Sequence, residues 1–252
     1  MNTKGDYIAV FDSGVGGLSV LRELVRLLPR ERYLYFGDSA NAPYGSRSTQ
    51  QVRELTLRAA EKLMERGLKA LVIACNTATA AAIGQLREKY PELIVVGIEP
   101  ALKVAADRYP GSRVGILATP VTLREEKLSH QLARFPDMQV SLIPVPGLVE
   151  AVEQGSSQEA LEAILAPILS PFAGKLDAAV LGCTHYPFAA KVISRLLPGT
   201  VLLDGGEGTA RETRRRLEKA DLLWDGPGEV RLENSLNNTE ILRRSEALLK
   251  NP

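Results

Sequence analysis

Two thiols are the most reactive groups this sequence offers, and they sit in matching surroundings. Cys75 closes the apolar run LVIAC and is followed by Asn76-Thr77, while Cys183 closes AVLGC and is followed by Thr184-His185. A lone cysteine is ordinarily a small buried core residue. These two instead end predicted strands, and the polar residues after them are of the kind that caps a helix. A thiol at a helix N-terminus has its thiolate stabilised by free amides and the helix dipole, which lowers a pKa that starts near about 8.5. Inverting a stereocentre requires removing a proton on one face and delivering one on the other. A thiolate and a thiol on opposite faces do both, and exchange roles when the reaction reverses.

Parallel α/β sheets place ligands at the carboxyl ends of their strands, so the thiols must be judged by the elements that carry them. Short β-branched runs predict strands over Tyr7–Phe11, Tyr33–Phe36, Ala70–Ala74, Ile94–Gly97, Arg113–Leu117, Gln139–Ile143, Ala178–Gly182 and Thr200–Leu203. Several are continuously apolar, as suits strands buried on both faces. Helical spacing falls between them, over Gly17–Leu28, Ser48–Arg66, Thr77–Tyr90, Thr122–Arg134, Ser157–Leu169 and Phe188–Leu196, with a last amphipathic stretch over Thr239–Lys250. The alternation predicts an α/β fold with mostly parallel sheets flanked by helices.

The pattern also repeats. The cysteine segments are 108 residues apart, and YIAVFDSGVGG and RVGILATPVTL, each a strand followed by a polar turn and a helix, are 106 apart. Matching offsets predict two pseudo-symmetric lobes, with the active site in the cleft between them and one thiol from each lobe. The first lobe is expected over residues 1–98, completed by 209–252, and the second over 99–208.

Two polar loops follow the first two strands. Asp12-Ser13-Gly14-Val15-Gly16-Gly17 is glycine-rich but does not complete the G-x-G-x-x-G spacing of a dinucleotide site. It reads better as backbone amides holding a small anion at a helix start. Asp12 would serve there either as a turn residue or as a cleft residue, and its position at a strand's carboxyl end favours the cleft. Gly37-Asp38-Ser39-Ala40-Asn41-Ala42-Pro43-Tyr44-Gly45 is read as a wall of the same cleft rather than a bare turn. His185, next to a thiol, is read as tuning Cys183, since imidazole exchanges protons near neutral pH; His130, among charged neighbours, is read as a surface residue. Trp224 and the run Val230–Leu232 are read as packing elements.

Composition narrows the remaining classes. With 31 basic and 30 acidic side chains the formal charge is +1, which argues against nucleic-acid binding. The cluster Arg214, Arg215, Arg216 is flanked by Glu212 and Glu218, as on a solvated helix face. No apolar run reaches the roughly 20 residues that span a bilayer, and the N-terminus shows no signal-peptide pattern. A cytoplasmic protein with reduced thiols is expected. Two cysteines and two histidines make a poor metal cluster, so no metal site is expected.

FDSGVGGLSV (Phe11–Val20), GDSANAPYG (Gly37–Gly45), ACNTATA (Ala74–Ala80) and LGCTHYP (Leu181–Pro187), in this order, resemble the glutamate racemases of the cofactor-independent aspartate/glutamate racemase family. The resemblance runs along nearly the whole chain. It implies interconversion of L- and D-glutamate for peptidoglycan synthesis, with no pyridoxal phosphate, metal or nucleotide cofactor, in an enzyme that commonly forms homodimers. By resemblance, Cys75 and Cys183 are the two bases, assisted by Asp12 and His185 respectively, and Glu150 is a further acidic residue near the second thiol. Asp12-Ser13, Tyr44-Gly45, Asn76-Thr77 and Thr184-His185 correspond to substrate-binding pairs, Asp38 to an acidic residue lining the site, and Thr119 to a threonine after the first strand of the second lobe. The pattern departs from the family over Ala118–His130, where Val121, Glu125 and Leu128 stand in place of its usual residues. The last segment is implied to return to the first lobe.

Three other readings stay open at this level. A sister racemase acting on aspartate or another substrate would keep both thiols. A two-lobe protein that binds a small molecule without catalysis would keep the cleft. A thiol redox protein would pair Cys75 with Cys183, although the C-x-x-C spacing is missing.

Overall fold

The computed structural model describes residues 3–98, 101–124 and 126–250. Glu125 lies outside the described residues, as does the side chain of Val121. The chain divides into two compact units, Met1–Glu99 with Gly206–Pro252, and Pro100–Gly205.

In the first unit the elements run β1 (Tyr7–Asp12), α1 (Leu18–Leu27), β2 (Arg32–Gly37), α2 (Thr49–Met64), β3 (Leu68–Ile73), α3 (Asn76–Lys89) and β4 (Ile94–Gly97). The second unit contributes α4 (Ala101–Arg108), β5 (Arg113–Ala118), α5 (Pro120–Arg124), α6 (Glu126–Leu132), β6 (Gln139–Pro144), α7 (Leu148–Gln154), α8 (Gln158–Leu169), β7 (Ala178–Leu181), α9 (Ala190–Leu196) and β8 (Val201–Leu203). The chain then supplies α10 (Gly206–Lys219), β9 (Glu229–Asn234) and α11 (Thr239–Lys250) to the first unit.

The first sheet has the order β4-β3-β1-β2-β9 and the second β6-β5-β7-β8. Every strand pair is parallel. Within each unit the first strand lies between the second and the third, so both sheets contain the same switch point, where connections leave in opposite directions. Such a point opens a crevice at the carboxyl ends of the strands. In the first sheet it lies between β1 and β3, and in the second between β5 and β7.

The apolar runs form strands because both faces are covered. On one face of the first sheet Ala9, Phe11, Leu34, Leu71, Ile73 and Val95 pack under α2 and α3. On the other, α1 buries Leu18, Leu21 and Leu24, and Tyr33 donates its hydroxyl hydrogen to the carbonyls of Leu24 and Leu28. Helix α10 packs against α1 and β4, and α11 against α1 and β9. Ser48 opens α2 as predicted, through a reciprocal capping box with Gln51. In the second unit Val114, Ile116, Ala118, Ala178, Val180 and Leu203 form a core with α4, against which Leu123, Leu128 and Leu132 also pack.

One expectation changes. Val230–Leu232 belongs to a six-residue strand that pairs along the whole of β2. Its alternation of apolar and charged residues suits an edge strand covered on one face. The stretch predicted as a helix over Thr122–Arg134 is helical over Pro120–Arg124 and Glu126–Leu132 among the described residues. Among the described residues no helix is long and apolar enough to cross a membrane.

Candidate active site

The two switch points carry the two thiols. At the first, Asp12 ends β1, Asp38 follows β2 and Cys75 follows β3. The backbone ties these ends together, because Asp38 N donates to Asp12 O at 2.9 Å and Ala74 N donates to Phe11 O at 2.8 Å. Gly14 N donates to Asp12 Oδ1 at 2.9 Å, and the carboxylate is fully buried. Gly17 is required by close approach: a Cβ there would stand 2.6 Å from Asp12 Cβ and 2.9 Å from Ala74 Cβ.

Cys75 is itself the N-cap of α3. Its Sγ accepts a hydrogen bond from Ala78 N at 3.5 Å. This corrects the expectation that Asn76 and Thr77 cap the helix. They occupy its first turn instead, half-buried, because the sulfur already takes the acceptor position. Ser13 Oγ lies 3.7 Å from Cys75 Sγ. The helix amide and dipole favour a thiolate at this point.

The loop after β2 completes the surroundings of this strand end. Tyr44 is buried, and its hydroxyl donates to Asp38 Oδ2 at 2.6 Å. Asn41, which the motif reading did not single out, donates from Nδ2 to both oxygens of Asp38, at 3.0 and 3.1 Å. Burial first, and then the Asp38 carboxylate, push the Tyr44 phenol well above its usual range; Cys75 and Asp12 act in the same sense. Gly45 is half-buried in the short 3-10 turn that Tyr44 opens.

The surroundings of Cys183 in the second unit are built differently. Gly182 N donates to Leu117 O at 2.8 Å, the counterpart of the Ala74–Phe11 bond. After Cys183 comes a 3-10 turn over Tyr186–Ala189, ahead of α9. Thr184 and His185 were expected in capping positions, but His185 makes no side-chain cap. The physical reason is that its ring is turned to other partners. Nδ1 of His185 stands 3.6 Å from Cys183 Sγ, and Nε2 stands 2.7 Å from Glu153 Oε1. His185 is 4% exposed and Thr184 5%. An ionised Glu153 requires the proton on Nε2, which leaves Nδ1 to face the sulfur.

Glu153 is a residue the motifs missed. Glu150, which they named, lies one turn earlier on α7 and is exposed. Its charge reaches Tyr186: burial first, then Cys183 and Glu150, raise that phenol, whose hydroxyl donates to Val145 O at 3.0 Å. Helical spacing of three places both acids on neighbouring positions of one face and does not choose between them. Thr119 follows β5, as expected, and its Oγ1 lies 2.9 Å from Oγ1 of Thr122. His130 is exposed, and Trp224 is half-buried. Among the described residues no group of three or more His, Cys, Asp or Glu side chains is placed to hold a metal ion.

The sequence model of the Asp/Glu/Hydantoin racemases matches residues 8–213. The chain belongs to the Asp/Glu/Hydantoin racemase family. A glutamate racemase of Clostridium acetobutylicum is 44% identical over 254 residues, covering 99% of each chain. The Thermus thermophilus glutamate racemase, solved with β-chloro-D-alanine, is 38% identical with a TM-score of 0.83, covering 98% of this chain and 94% of that one. The Escherichia coli glutamate racemase, solved with L-glutamate and an activator, is 34% identical with a TM-score of 0.79, covering 91% and 97%. As an amino-acid racemase, an isomerase, this family member must break and remake a bond to hydrogen at a carbon stereocentre.

Proposed function

We propose that the protein interconverts L-glutamate and D-glutamate by two-base proton transfer between the α-carbon and the sulfurs of Cys75 and Cys183. The observation that supports this most is local. Each thiol lies at the carboxyl end of the third strand of its own sheet, at the switch point, with a group that stabilises its thiolate or exchanges its proton. For Cys75 that is the α3 amide; for Cys183 it is the His185–Glu153 pair.

In the forward direction one sulfur, as thiolate, takes the α-hydrogen as a proton, and the C–H pair stays on carbon. The other sulfur, as thiol, delivers its proton to the opposite face. The free enzyme then holds its proton on the other side, and the reverse reaction restores it. Asn76, Thr77 and Thr184, with nearby amides, would hold the α-carboxylate and stabilise charge that builds as the proton leaves. Asp12 would assist Cys75, and Ser13, Asp38, Tyr44, Gly45 and Thr119 would complete the binding surface. His185, with Nδ1 toward the sulfur, would pass a proton to and from Cys183, while Glu153 or its neighbour Glu150 supports the imidazolium that forms.

Incubation with L-glutamate in deuterated water tests the reading. It requires loss of optical rotation with one deuteron gained at Cα; a chain that binds glutamate but does neither would refute it. L-aspartate run in parallel separates the sister-enzyme alternative. The same reading makes the protein a cytoplasmic homodimer that supplies D-glutamate to peptidoglycan synthesis, for which sedimentation of the purified chain measures the assembly.

A further inference from the structure

Tyr44 makes an interaction that substrate contact alone does not explain. Its side chain is 1% exposed, and its hydroxyl hydrogen is committed to Asp38 Oδ2 at 2.6 Å. Asp38 is 5% exposed and takes two further bonds from Asn41 Nδ2, at 3.0 and 3.1 Å. Asn41 is anchored in turn, since Arg47 Nε donates to its carbonyl at 2.8 Å. The main chain of Asp38 is fixed to Asp12 O. These donors hold the buried carboxylate in one orientation.

Among the described residues, the charged and titratable groups that bear on this corner of the unit include Asp12 from the end of β1, Asp38, Tyr44 and Arg47 from the loop after β2, and the N-terminus of α3. Tyr44 and Cys75 belong to one buried cluster. The dipole of α3 favours the thiolate, and the carboxylates oppose it. The backbone bonds Asp38 N–Asp12 O and Ala74 N–Phe11 O set the ends of β2 and β3 on either side of the end of β1, and the Tyr44 hydroxyl, donating to Asp38, offsets part of the carboxylate's repulsion at sulfur. The second unit offers a contrast: Tyr186 gives its hydroxyl hydrogen to the neutral carbonyl of Val145, and an imidazole nitrogen stands 3.6 Å from Cys183 Sγ.

We propose that Tyr44 is a positioning residue, which holds the Asp38 carboxylate in place, and that this Tyr44–Asp38 pair sets the proton affinity of the Cys75 thiol. The proposal rests on the racemase reading for its meaning in catalysis, but its geometry is independent of the substrate. Removing the phenol hydroxyl takes one donor from the Asp38 carboxylate and leaves its charge less neutralised, so Cys75 should hold its proton more tightly. Removing the charge of Asp38 should do the reverse.

The test uses the full chain in a Cys183→Ser background, where Cys75 is the remaining thiol. The rate of Cys75 alkylation by iodoacetamide is followed against pH, and its midpoint compared among the parent, Tyr44→Phe and Asp38→Asn. The midpoint should rise in Tyr44→Phe and fall in Asp38→Asn, each by about half a pH unit or more, the scale on which a nearby charge acts. Coincident midpoints in all three proteins, or shifts of the same sign in both variants, would overturn the proposal; a purely structural role changes melting temperature and leaves the midpoint in place. Deuterium exchange with glutamate on the unsubstituted chain is run beside it. Its failure would remove the racemase reading and leave the alkylation result to stand or fall by itself.

Discussion

Glu153 Oε1 stands 2.7 Å from His185 Nε2, on the side of the ring opposite Cys183. The carboxylate is partly open to solvent and the imidazole is not, with side-chain exposures of 25% and 5%. The pair fixes the ring and favours its charged form, so it acts on the sulfur through the histidine. Glu153→Gln keeps a hydrogen-bonding group but removes the charge. We expect kcat/KM for glutamate to fall on the order of 10²-fold, the low end of what general acid–base catalysis contributes, with thermal melting little changed. A Glu150→Gln control should fall less. Equal losses in both variants would mean that the acidity of α7, rather than the hydrogen bond, matters.

Cys75 has two separable roles, as helix cap and as base. Cys75→Ser retains an acceptor in the N-cap position, which serine fills well, whereas Cys75→Ala loses it at a cost of about 1 kcal/mol. Racemisation should vanish in both, but only Cys75→Ala should unfold at lower urea. Cys183→Ala should also lose racemisation. A serine variant that kept most of the activity would show that thiol chemistry is not needed.

Gly17 touches the site through sterics alone. With Asp12 and Ala74 already 2.6 and 2.9 Å from where a Cβ would sit, Gly17→Ala must displace the end of β1 or of β3. Overpacking of this kind costs about 1–3 kcal/mol. Urea unfolding should reveal that loss, and racemisation should fall by more than the folded fraction does, because Asp12 and Cys75 lie on the displaced segments.

Lys69 and Glu31 form an ion pair at 2.6 Å, with side-chain exposures of 0% and 2%. Lys69 also donates to the carbonyls of Lys4 and Leu222, and Glu31 accepts from Trp224 N at 2.9 Å. Burial lowers the Lys69 pKa, opposed by the Glu31 charge. Lys69→Met strands a carboxylate, a change that costs about 3–5 kcal/mol for buried pairs. Since the chain has one tryptophan, the fluorescence of Trp224 should report the loosened segment directly. Restored stability in Lys69→Met/Glu31→Gln would confirm that the stranded charge is the cause.

Acid stability should depend on the far ends of the second sheet. Arg113 donates to Asp177 through its main-chain N, Nε and one terminal nitrogen, at 2.8, 3.1 and 2.7 Å. The side-chain hydrogen bond, followed by the backbone bond, lowers the Asp177 pKa from 3.8 to about 2. Because the folded carboxylate is the stronger acid, its contribution is complete above the unfolded value. It is lost as pH falls from near 4 through about 2. Melting temperatures measured from pH 5 to pH 2 should therefore drop less steeply in Asp177→Asn than in the parent chain. An identical slope would show that the pair contributes nothing measurable.

How much was legible beforehand depends on the kind of information involved. Alternating apolar runs and helical spacings determined the parallel α/β architecture, because burial on two faces and on one face leave different periods in the chain. The strand ends at Asp12, Cys75, Thr119 and Cys183 could be read for the same reason, and so could the family, since its motifs are contiguous. Only the tertiary structure decided which side chains meet. Cys75 caps its own helix in place of Asn76 or Thr77, His185 turns from a capping position to a sulfur, and Glu153 rather than Glu150 reaches the imidazole. Tyr44 and Asp38 share a short sequence motif, yet their bond depends on how the loop turns a buried ring back on the strand end. A period of residues specifies a face, whereas a hydrogen bond is made or lost over a few tenths of an ångström and a rotamer, and those are set by packing against elements distant in the chain.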